Sequence, residues 1–167
     1  MASKGWIAMG LLAALATTPA QAQSGGAVAV GRVTVTILKP ITVEAKTEME
    51  FGMVTPAQSQ SGSVTLDFAD GDRHCSAGMT CQGPFSLADF LIRASNGVVM
   101  VSYHNVHQLT GPGAPMQIEI DAGGGAPATV NISDEKAVLR FGATLTVPQG
   151  QTPGVYAGSF AIEVAYQ

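Results

Sequence analysis

From Ala27 onward, apolar and polar positions alternate with period two along most of the chain, the spacing of strands that bury one face. Leu139, Phe141, Ala143, Leu145 and Val147 alternate against Val138, Arg140, Gly142, Thr144 and Thr146. After the turn-rich residues 148–154 the alternation resumes at Tyr156, Gly158, Phe160, Ile162, Val164 and Tyr166. The pattern predicts two long antiparallel strands joined as a hairpin. Upstream, Met116, Ile118 and Ile120 predict another strand, residues 128–132 a short edge strand, and Val64, Leu66 and Phe68 a strand ending at the Asp70-Gly71-Asp72 turn. Ala88, Phe90, Ile92 and Ala94 fit a strand, and Asn96-Gly97 reads as a hairpin turn into residues 98–103. Met49, Phe51 and Met53 predict a short strand with these three side chains on one face.

At the start of this region the parity changes. Val28 and Val30 occupy one face, whereas Val33, Val35 and Ile37 take the opposite parity, with Gly31-Arg32 between them. One straight strand cannot present both sets to one core. Either Gly31 marks a bulge or two separate pairing segments meet there. About eight or nine short, one-sided strands need a second sheet to cover them. The expected fold is therefore all-β, an immunoglobulin-like antiparallel β-sandwich.

Ahead of the alternating region lies an export signal. Lys4 supplies a positive start, Trp6 to Ala16 is an apolar run too short to span a bilayer, and Ala20-Gln21-Ala22 is a small-residue cleavage site. Residues 1–22 are expected to be removed, leaving residues 23–167 as one sandwich domain with a short N-terminal arm and no membrane span. Export places the mature chain in the periplasm, on the outer surface or in an extracellular fibre. In such an oxidising compartment Cys75 and Cys81, the only cysteines, are expected to form a disulfide. A metal site using His74 with the two cysteines lacks a second ligand pair.

Composition narrows function chiefly by exclusion. Charged residues make up 12% of the chain, and eight basic residues stand against twelve acidic. Without Lys4 the net charge is −5, which leaves no basic surface for nucleic acid. The 20 glycines and 9 prolines suit short strands and turns rather than long helices. Asp67, Asp70 and Asp72 could offer oxygens to Ca²⁺, but the loop lacks further carboxylates and reads first as a D-G turn. His104 and His107 are three apart, which on a strand puts them on opposite faces, and they are expected in an exposed loop. No G-x-S-x-G elbow is present, and Ser86, Asp89 and His104 have no spacing that argues for a triad. Asp134-Glu135 reads as a polar turn. No catalytic residue, metal or cofactor is expected.

The run Met49-Glu50-Phe51-Gly52, followed downstream by residues 142–147 and by Pro153-Gly154-Val155-Tyr156-Ala157-Gly158-Ser159-Phe160 through Ala165-Tyr166, resembles domain-of-unknown-function family 4402. That resemblance implies a short exported bacterial protein. Glu50 stands where the early motif usually has Asp, and the segment holding Cys75 and Cys81 is additional to the pattern. The terminal strand is more loosely similar to chaperone–usher pilins and spore-coat-U-like subunits. This second resemblance implies an incomplete immunoglobulin-like fold completed by a neighbour's N-terminal extension, with a periplasmic chaperone and an usher as partners.

The expected function is thus a non-enzymatic structural or adhesive subunit. Val28 and Val30 are the candidate donor-strand residues. Tyr156, Phe160, Ile162, Val164 and Tyr166 are the candidate acceptor strand, and self-association or strand addition with other exported subunits is the expected partnership. The alternative is a self-complete monomeric module that recognises a carbohydrate or a protein through its loops.

Overall fold

The computed structural model describes residues 31–167. The chain divides into two units, Met1–Val35 and Thr36–Gln167. Of the first, only residues 31–35 are described; they are exposed and carry no strand. The export signal, Val28 and Val30 lie outside the described residues.

Among the described residues all strands lie in the second unit and there is no helix. They are β1 (Thr42–Thr47), β2 (Met53–Thr55), β3 (Gly62–Leu66), β4 (Arg73–Cys75), β5 (Thr80–Gln82), β6 (Ala88–Arg93), β7 (Gly97–Tyr103), β8 (Val106–Leu109), β9 (Met116–Asp121), β10 (Ala128–Ile132), β11 (Lys136–Val147) and β12 (Ile162–Tyr166). The twelve exceed the eight or nine expected, because three of them are only three residues long. They form a seven-stranded sheet containing β1-β6-β11-β3-β4 together with β8 and β9, a three-stranded sheet β10-β7-β12, and the ribbon β2-β5.

The seven-stranded sheet is organised by β11. This strand pairs with β6 through residues 136–141, with β9 through 142–145 and with β3 through 143–147. Its odd positions Phe141, Ala143, Leu145 and Val147 are buried, as the alternation predicts. They meet Val99, Val101 and Tyr103 of β7 and Ile132 of β10 in one core, together with Ile92 of β6 and Met116, Ile118 and Ile120 of β9. The inner faces of two antiparallel sheets thus share a core, and the fold is an all-β sandwich. At its centre Phe141 is edge-on to Tyr103 at 5.0 Å, Phe160 at 5.5 Å and Phe90 at 5.7 Å.

Both predicted hairpins are corrected. β11 and β12 are not paired: β11 belongs to the large sheet and β12 pairs with β7 in the small one. The connection, residues 148–161, is too long for a tight hairpin and makes one bridge of its own, Ala157 with Thr110. Likewise β6 and β7 part at Asn96-Gly97 and enter different sheets, while the Asn96 side chain accepts a hydrogen bond from the Glu135 amide at 2.8 Å. These are crossings between layers, which period-two alternation cannot distinguish from hairpins.

The alternation at Val33, Val35 and Ile37 is not a strand among the described residues, and residues 31–41 form none. No segment among the described residues pairs with them, and extended backbone without a ladder is not a strand. Within β1 the register against β6 shifts between Ala45 and Thr47. Of the 49–54 run, only Met53 and Val54 lie in a strand, and Glu50 makes a single bridge with Ser86.

Candidate functional site

An apolar groove of about 1200 Å³ opens among the described residues. Its floor is the inner face of the large sheet: Ala88 and Phe90 of β6, Met116, Ile118 and Ile120 of β9, and Leu145 and Val147 of β11. One wall runs from Ala45 at the end of β1 through β2 to Pro56. The other is formed by residues 151–160, which lead into β12. Apart from Phe90 these floor residues are buried, whereas every residue of β1 is exposed although five of its six residues pair with β6.

The family-like motifs build these two walls. In the first, Gly52 has φ +74°, a conformation disfavoured for residues bearing a Cβ. A Cβ there would also crowd the Pro84 and Gln82 carbonyl oxygens and the Arg73 guanidinium. Arg73 Nη1 donates to the Phe51 carbonyl at 2.8 Å and the Gln82 carbonyl at 3.2 Å, and its guanidinium sits 4.9 Å from the centre of the Phe85 ring. Cys75 of β4 and Cys81 of β5 form the expected disulfide. It ties the β2-β5 ribbon, and so this wall, to the large sheet.

The second wall is held by Tyr156 and Ala157. Tyr156 donates its hydroxyl to the Thr152 carbonyl at 2.8 Å, while Ala157 and Thr110 exchange backbone hydrogen bonds of 2.8 and 2.9 Å. Gly158 lies so close to the 108–109 backbone that a Cβ would come within 2.8 Å of the Gln108 carbonyl oxygen. The G-x-Y-x-G segment is therefore a strap along the groove rather than the first half of the last strand.

Sequence-predicted acceptor residues thus divide into two groups. Tyr156 and Phe160 line the groove, whereas Ile162, Val164 and Tyr166 lie on β12, beyond its lining. β12 pairs only with β7 among the described residues. The Gln167 amide donates to the Val98 carbonyl, so in the antiparallel alternation the amides of Ile162, Val164 and Tyr166 point to the opposite, unpaired edge. At the far end of that edge the Tyr166 hydroxyl donates to the Lys39 carbonyl and accepts from the Ser95 amide at 2.8 Å. The Lys39 amide in turn donates to Ser95 Oγ at 2.8 Å. Sequence reasoning missed the floor contributed by β6 and β9 and the wall contributed by β2, because their joint placement follows from strand order rather than from any local pattern.

Other candidate residues fall elsewhere. Asp67, Asp70 and His74 have ligand atoms within 4.8 Å of one another, so His74 rather than Asp72 joins the two aspartates. Their bonds are those of a turn: Asp67 Oδ1 accepts from the Ala69 amide at 2.6 Å, Asp70 Oδ1 from the Asp72 amide at 2.8 Å, and Asp70 Oδ2 meets His74 Nε2 at 2.9 Å. The Asp72 amide first, and then His74, hold the Asp70 carboxyl below its ordinary range. The hydrogen bond to Asp70 raises the His74 pKa.

Ser86 donates its hydroxyl to the Glu48 carbonyl, Asp89 forms a two-pronged pair with Arg140, and His104 is exposed. These three side chains are thus in separate interactions. His107 is half-buried on β8, contrary to its expected loop position, with Nε2 2.7 Å from the His104 carbonyl. Asp134 and Glu135 form a tight turn with φ of 52° and 60°.

The described residues thus form an all-β sandwich that carries an apolar groove and, on β12, an edge that no other described strand pairs. The profile of the family "Domain of unknown function (DUF4402)" matches residues 41–166, and the chain belongs to that family. No curated protein and no solved structure matches it, and none of these comparisons supports the looser resemblance to pilins. Among the described residues no helix is long and apolar enough to cross a membrane.

Proposed function

We infer that this chain is a non-enzymatic, exported structural or adhesive subunit whose sandwich is completed by an extended strand from another molecule. The observation that carries this reading is the groove itself. At about 1200 Å³ it exceeds the usual range of roughly 300–1000 Å³ for small-molecule pockets, and its floor is apolar. β12 follows the 151–160 wall in the chain, and its edge away from β7, which no other described strand pairs, offers backbone amides. An extended apolar segment satisfies both at once, through side chains in the groove and main-chain bonds along the edge. An open edge beside apolar surface is otherwise an aggregation liability.

The sites of action that follow are the periplasm, the outer surface or a fibre, and an assembly chaperone acting before polymerisation would cover the same groove. The test is the state of the full chain after export. Multimers that resist denaturant at concentrations where ordinary dimers dissociate are expected. A chain that stays monomeric at all concentrations would instead favour a self-complete module that binds through its loops.

A further inference from the structure

We propose that the segment that fills the groove is residues 32–38 of a second copy, inserted through Val33, Val35 and Ile37. This rests on the strand-addition reading above and specifies which part of the arm enters. Val33, Val35 and Ile37 are 96%, 80% and 88% exposed, an arrangement that gains nothing for three β-branched side chains in water. They alternate with Thr34 and Thr36, so in extended conformation all three fall on one face and span about 13 Å. This is the pattern of a strand that lacks only its partner, and no described segment of the same chain supplies one.

Two further observations fit the pairing. The root of the arm is fixed, because Lys39 is held by Ser95 and Tyr166. Ile37 and Leu38, next to that anchor, are already exposed. Charge also matches. Within residues 32–38 the only ionisable side chain is Arg32; Lys39 is paired with Glu135 of its own chain, and the carboxylates lining the groove are those of Glu48 and Glu50. A basic, β-branched arm suits an apolar groove rimmed by acid. Each copy would then offer an arm to one neighbour and a groove to another, a head-to-tail contact that propagates.

The test uses full chains carrying single cysteines, purified separately with different tags and mixed under oxidising conditions. Val35→Cys on one chain should form a disulfide with Ser159→Cys or Met53→Cys on the other, since both of the latter line the groove and are exposed. Val33→Asp or Ile37→Asp should lower the multimer fraction by at least about tenfold, because a carboxylate would have to enter an apolar site. The thermal melt of the monomer should not change, since these side chains are exposed.

Cross-linking through Val30→Cys but not Val35→Cys, with multimers lost only in Val28→Asp and Val30→Asp, would overturn this register while leaving strand addition standing. Multimers untouched by all four aspartate variants, or no multimers from the unaltered chain, would overturn both. A Val35→Cys/Ser159→Cys double variant that closes its disulfide within a monomer would overturn the second-copy assignment.

Discussion

Phe141→Ala perturbs the point where the two sheets meet. Its side chain is fully buried on β11 and edge-on to Tyr103 of β7, to Phe90 of β6 and to Phe160 at the groove. Truncating a buried Phe costs about 3–5 kcal/mol, the spread reflecting how far the cavity collapses. Collapse here is opposed by backbone ladders on both edges of β11, and three edge-to-face contacts, each worth about 0.5–1.5 kcal/mol beyond area, are lost together. The upper half of that range is therefore expected. For a domain of this size it corresponds to a fall in Tm of roughly 10–15 °C.

Urea unfolding followed by far-ultraviolet circular dichroism measures the change directly. The slope should be preserved if the fold is intact. Val155→Ala, at a side chain 86% exposed, serves as a control and should change stability by less than about 0.5 kcal/mol. A loss for Phe141→Ala below about 1.5 kcal/mol, or one equal to the control, would refute the placement of Phe141 between the sheets.

Gly52→Ala should destabilise by about 2–4 kcal/mol in the same assay, combining a disfavoured positive φ with crowding against two carbonyls and Arg73; a neutral result would place the 49–52 turn elsewhere. Cys75→Ser/Cys81→Ser should cost about 2 kcal/mol for so short a loop, with amide exchange accelerated most in β2 and β5. In a proton NMR titration His74 should show a midpoint above its ordinary value, returning toward it in Asp70→Asn. Because the folded pKa of His74 is raised, its contribution is complete below the unfolded value and is lost as pH rises through the folded one. The depressed Asp70 contributes above its unfolded value and loses that contribution as pH falls through its folded one, so the pair is strongest between the two. Both groups are exposed, and global stability should barely register the change.

Much of the sandwich was legible in the chain because burial follows parity. The alternations of β9 and β11 mark Met116, Ile118, Ile120, Phe141, Ala143, Leu145 and Val147, all of which are buried. Cysteine count and expected compartment likewise led to the disulfide now seen between β4 and β5. Strand partners were not legible. Parity says which face of a strand is buried, not which neighbour it bonds, so the alternation predicts β11–β12 and β6–β7 hairpins where each pair is split between sheets. For β12 the warning was in the sequence: Pro153, Gly154 and Gly158 interrupt the connection, and Tyr156 sits in it as a clamp rather than as a strand residue. The groove was beyond reach for the same reason, since its floor and walls come from segments far apart in the chain that only the strand order brings together. Val33, Val35 and Ile37 carry the converse lesson, that a clean alternation can mark a strand whose partner is not supplied by the described part of its own chain.

Site-resolved hydrogen exchange of the full chain, compared between dilute and concentrated samples, tests the central claim most directly. The amides of Ile162, Val164 and Tyr166 face the unpaired edge of β12 and should exchange rapidly in the monomer. On assembly they should slow by about a hundredfold or more as a strand from another copy takes them up, while those of Glu163 and Ala165, directed at β7, change little. If multimers form and the three amides still exchange as in the monomer, no strand has been added at this edge and the account is wrong.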